Sequence, residues 1–126
     1  MTEIDYAQRV ARGAALMDEK WPTWKDDVEL DRLDIADPQA CMTAQFAQIT
    51  RQDSDLNYSH GKEALGLDDK SYAAYGFNAD PREVRGGYDA KHDHYQAGIN
   101  TLNTLWRDLI VQHRYSPDPR PEADVA

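Results

Sequence analysis

The chain carries a single cysteine, Cys41, among its 126 residues. That excludes an intrachain disulfide and a zinc site built on several thiolates. Long apolar runs are missing too: nothing approaches the ~18 consecutive apolar residues of a membrane span. Residues 1–20 are amphipathic and charged, without the unbroken apolar stretch of a signal peptide, so a cytoplasmic protein with no membrane contact is expected. Large aliphatic residues are scarce. Leu, Ile, Val and Phe together number 21, under the roughly one-in-five share below which a highly charged chain tends to disorder. Positive charge is also in deficit, with 14 Lys and Arg against 23 Asp and Glu and a net charge of −9. Such a surface repels phosphate, which argues against direct contact with DNA or RNA. It permits a basic protein partner, including one that itself binds DNA.

What is present offsets the thin aliphatic stock. Three Trp, seven Tyr and sixteen Ala supply large buried surfaces and close helix approaches. In the first segment Ala7, Val10, Ala14, Met17 and Trp21 recur at helical spacing after a possible cap at Thr2, and Pro22 ends the pattern. A helix over 3–20 is expected. Asp37-Pro38 reads as a helix start, followed by Met42, Phe46 and Ile49, for a second helix over 38–51. The Asp-rich segment 23–37 between them fits either a short helical turn or an extended strap. Two short helical turns follow, near 60–65 and 69–75. The last element is the longest: ten positions from Tyr88 to His113 share one face about 140° wide. No alternating stretch competes. The expected fold is all-α, one domain over 1–115 with about five helices, two of them very short, and a Pro-rich tail over 116–126.

The glycines of A-L-G-L (64–67) and A-Y-G-F (74–77) each follow a short helical run and precede a large apolar residue. That is the pattern of helix stops in which glycine turns left-handed and the next residue packs back. A phosphate loop would place its glycines before a helix instead. Leu65, Leu67, Tyr72, Tyr75 and Phe77 are then expected against the long C-terminal helix.

Catalytic patterns are few. His92 and His94 are two apart and diverge by about 200° on a helix, which keeps them from chelating one ion together. On this reading His92 sits at the apolar edge and His94 nearly opposite. His113, near the end of the same helix, suits the dipole there. Cys41 near a helix N-terminus could in principle pair with a histidine as base, but its neighbours suit a small buried residue. No nucleophile elbow, phosphate loop or dinucleotide fingerprint is present. Neither a metal nor a cofactor is expected, and the chain reads as a non-enzyme. The candidate partner-binding residues are Trp24, which falls within the acidic connector, the acids Asp26, Asp27, Asp31 and Asp34, and the connector residues Tyr58 and His60.

Several segments in fixed order carry a resemblance: RVARGAALMDEKWPTW, LDRLDIADPQACMTAQF, EALGL, AYGF and TLWRDLI. Together they resemble small uncharacterised proteins encoded by actinobacterial phages and their hosts, over roughly residues 8–111. In the second segment that group often carries a further cysteine followed by V-L-G-Q. Here only Cys41 and Gln45 match, with Met42-Thr43-Ala44 between them. The resemblance implies no established activity. The expectation is a small acidic helical binding protein, a phage-encoded accessory factor that engages a host or phage protein. An acidic mimic of nucleic acid that occupies a DNA-binding protein is the alternative, as is a virion or structural component.

Overall fold

The computed structural model describes residues 4–83 and 86–115. Six α-helices run in order: α1 (Tyr6–Lys20), α2 (Trp24–Asp27), α3 (Met42–Arg51), α4 (Tyr58–Ala64), α5 (Asp69–Ala74) and α6 (Tyr88–Tyr115), with a 3-10 turn over Pro81–Glu83 before the last. Among the described residues there is no strand, so the all-α class and the long final helix are as expected. The tail 116–126 and Thr2 lie outside the described residues.

The start of α1 shows how a local choice was settled. Asp5 caps the helix, its Oδ1 accepting the Gln8 N–H at 2.9 Å, so the helix begins later than a cap at Thr2 would place it. Val10, Ala14 and Met17 then face inward, and Trp21 follows at the exit. The expected start of the second helix at Pro38 is corrected to Met42. Asp37 instead holds a turn: its Oδ1 accepts the Gln39 N–H, and its carbonyl accepts from Ala40 and Cys41. The ambiguous segment 23–37 is helical at its start and a series of turns after that, not an extended strap. It makes one helical turn, α2, then runs as turns across the core with Val28, Leu33 and Ile35 buried.

Helix α3 is the centre of the molecule, with every residue from Met42 to Gln48 buried. Its buried polar side chains, Thr43, Gln45 and Gln48, are all hydrogen-bonded. Gln45 accepts the Glu29 N–H at 2.6 Å and donates to the carbonyls of Glu29 and Ala40. Gln48 donates to the carbonyls of Gln39 and Leu56. These two amides stitch the irregular segments on either side to α3, replacing the backbone partners that loops lack.

Helix α4 lies along α3, while α1, α2 and the 3-10 turn pack on α6. Trp106 of α6 is wholly buried. It stacks on Phe77 at 5.5 Å, meets Trp24 edge-on at 5.6 Å, and donates its Nε1–H to the Gly76 carbonyl at 2.7 Å. At the far end of α6, Arg114 donates to the carbonyls of Lys25 and Val28.

Both glycine stops are present. Gly66 and Gly76 have φ of +73° and +77°. Leu67 N–H bonds to Lys62 O and Gly66 N–H to Glu63 O; Phe77 and Gly76 repeat the pattern onto Tyr72 and Ala73. The expected packing partner is corrected in part. Phe77 reaches α6, but α4 rests on α3, and Tyr72 points its hydroxyl at Thr43 of α3.

Candidate binding cleft

An aromatic series leads outward from the core. Trp106, Phe77, Tyr72 and Tyr58 follow one another at centroid distances of 5.5, 5.6 and 6.1 Å. It ends in a cleft of about 460 Å³ walled by the turn at 35–38, helices α4 and α5, the segment 78–82 and Tyr95 of α6. Three backbone features shape it. Tyr58 N–H bonds to the Pro38 carbonyl at 2.9 Å, tying the head of α4 to the opposite turn. Asp68 and Ser71 form a capping box that sets the direction of α5. The stop at Gly76 then returns the chain along the cleft's far side.

The floor is a closed set of hydroxyl and thiol groups. Thr43 Oγ1 and Tyr72 Oη lie 2.7 Å apart, and Cys41 Sγ is 3.6 Å from the first and 3.8 Å from the second. Burial pushes the Tyr72 phenol well above its usual range, with the neighbouring Cys41 adding to the shift, so it stays neutral and serves as a hydrogen-bonding group. The rim carries paired charges. Lys62 is bonded to Asp69 and lies 5.8 Å above the Tyr72 ring. Arg82 forks onto Asp80 with contacts of 2.9 to 3.2 Å, and that pairing holds the Asp80 carboxyl below the ordinary range.

The residues nominated from sequence are scattered, and one is reassigned. Trp24 is completely buried, with its Nε1–H on Asp18 at 2.8 Å. It clamps the connector into the core and offers nothing to a partner. The reason is tertiary: α2 turns the ring inward against Trp106. Asp26 meets His113 Nε2 at 3.1 Å. Asp27 accepts from Trp21 and Thr23, and Asp34 from Ala36 and Asn103. Asp31 is exposed. All four acids remain exposed, and Asp26, Asp27 and Asp34 also make structural contacts. His60 is not in a loop but is the third residue of α4, where its Nδ1 accepts the Asn57 N–H at 3.1 Å in a capping box. Of the nominated residues only Tyr58 lines the cleft.

The histidines are dispersed. His92 is exposed and stacked on Tyr88, whereas the His94 Nε2 is buried against the head of α1 without a hydrogen-bond partner. This reverses their expected faces, because the first turns of α6 run past the core and are covered on the α1 side. Among the described residues no group of three or more His, Cys, Asp and Glu could hold a metal ion, and no helix is long and apolar enough to cross a membrane. Lys62, Tyr72, Arg82 and Tyr95 were missed as cleft residues. All they share in sequence is an aromatic or cationic side chain, too common a feature to single them out. Compared with protein-family models, curated proteins and solved structures, the chain matches none.

Proposed function

We propose that the chain is a non-catalytic binding protein that engages a protein partner through the tyrosine-walled cleft, as a phage-encoded accessory factor would. The observation that supports this reading is the state of the cleft's polar groups. The floor hydroxyls and thiol bond to one another, and each rim cation is matched by its own carboxylate. A nucleophile ready to react needs a base within reach, and among the described residues the groups within hydrogen-bond range of Cys41 Sγ are the hydroxyls of Thr43 and Tyr72. What the cleft does offer is ring surface. Tyr58 remains 39% exposed, and tyrosine rings supply large contact area at low cost in side-chain entropy.

The test is capture from host lysate by the immobilised full chain, identification of the captured protein, and titration of that purified partner. Tyr58→Ala removes an exposed ring and should weaken binding at least about tenfold, in line with interface hot spots. Trp24→Phe alters a buried ring and should leave binding unchanged. A partner held equally well by the Tyr58→Ala chain would place recognition elsewhere and sink the proposal.

A further inference from the structure

Beside the cleft, and joined to it at Pro81 and Tyr95, runs a shallow groove of about 380 Å³ completed by Tyr88, Lys91 and His92. Its surface is almost wholly apolar. Tyr88 is 80% exposed and lies nearly parallel to the His92 ring at 5.9 Å. Lys91 donates to the Pro81 carbonyl at 3.2 Å and so ties the 3-10 turn to α6. Aromatic faces beside an apolar step are where proline-rich segments dock. The proline ring packs flat on the aromatic face, and the segment has little chain entropy left to lose. The chain contains such a sequence, S-P-D-P-R-P over 116–121, outside the described residues.

We propose that the groove at Tyr88, His92 and Tyr95 takes the 116–121 segment of a second copy of this chain. Reach decides between the same copy and another. From Tyr95 to Tyr115 the chain is one continuous helix, about 30 Å over twenty residues at ~1.5 Å each. Pro121 lies six residues past Tyr115 and, even fully extended, reaches only about 20 Å. The prolines therefore fall short of their own groove. Two α6 helices side by side and antiparallel about a two-fold axis near Leu105 put each Tyr115 next to the other's Tyr95, so that residues 116–121 run on toward its His92 and Tyr88. The exchange is then mutual and closes as a two-fold dimer. Two short segments bury less than the ~1,200 Å² of a standard stable interface, so the dimer is weak, with Kd on the order of micromolar or above.

The test is sedimentation equilibrium of the full chain from about 1 μM to about 1 mM, a range that brackets such a Kd. A concentration-dependent dimer is expected. Tyr88→Ala, and separately Pro117→Ala with Pro119→Ala and Pro121→Ala, should each raise its Kd at least about tenfold. Circular dichroism of each variant checks that the exposed substitutions leave the fold intact. Mixing the two variants is the sharper measurement. The Tyr88→Ala copy still presents intact prolines, and the proline variant still presents an intact groove, so the mixture should form heterodimers more tightly than either variant self-associates. A monomer across the whole range, a dimer that tolerates either set of substitutions, or a mixture with no such gain would overturn the proposal. Tyr58 takes no part in this groove, so its failure leaves the reading of the cleft untouched, and the reverse holds too.

Discussion

Gly66 and Gly76 share one backbone conformation and differ in surroundings, which makes them a matched pair. A Cβ at Gly66 would meet nothing within 4 Å, whereas one at Gly76 would sit 2.9 Å from Arg9 C and Val10 N, both backbone atoms of α1. Substituting alanine at Gly66 therefore costs only the left-handed strain, about 1–2 kcal/mol. At Gly76 the same strain is joined by displacement of α1, an overpacking cost of about 1–3 kcal/mol, for a total of roughly 2–5 kcal/mol. Moving Gly76 also disturbs the carbonyl that accepts from Trp106. Urea unfolding of the two variants, followed by far-UV circular dichroism and tryptophan fluorescence, measures the difference directly. Both should lower the midpoint with little change in slope, and Gly76→Ala should fall further by at least ~1 kcal/mol. Equal losses, or a greater loss at Gly66, would show that α1 does not close over the second stop. Gly76→Val should be worse again, since a branched residue suits that backbone region least.

Gln45→Leu swaps a buried amide for an apolar side chain of similar size. It should nevertheless destabilise by about 2–4 kcal/mol, because the Glu29 N–H and carbonyl lose the Gln45 amide and the Ala40 carbonyl keeps only the longer bond from the Asp34 N–H; the urea midpoint reads this out. Cys41 is 2% exposed, so iodoacetamide should label it far more slowly in the native chain than in denaturant, and comparable rates would contradict the buried floor. The Asp80 carboxyl has a folded pKa below its unfolded value of ~3.9. Its contribution is therefore present above that value and lost as pH falls through the lower, folded one. Asp80→Asn should flatten the acid limb of the stability curve by less than ~1 kcal/mol, the scale of solvated ion pairs, and an unaltered limb would argue against the pairing with Arg82.

Local signals carried much of the architecture. Helical spacing from Ala7 to Trp21 and from Tyr95 to Ile110 was readable because a helix repeats its buried face every three to four residues. The two glycine stops were readable because left-handed backbone strongly favours glycine. Asp37-Pro38 misled for an equally local reason: aspartate accepts from nearby N–H groups in a turn as readily as at a helix cap. Spacing showed that His92 and His94 must diverge, but not which of them faces α1. Nothing in sequence marked Gln45 and Gln48 as buried, and the segments laid over α3 turn them into interior stitches.

The cleft was the least legible part. Its walls come from five separated stretches of chain, and no single stretch carries a pattern that marks it. Sequence by itself determined the class and the punctuation: helices, their stops, an acidic surface and one isolated thiol, all set by interactions within a few residues. Tertiary structure decided the inside and outside of each aromatic. It buried Trp24 and left Tyr58 and Tyr88 at the surface, because an aromatic's place depends on which distant helix is free to cover it.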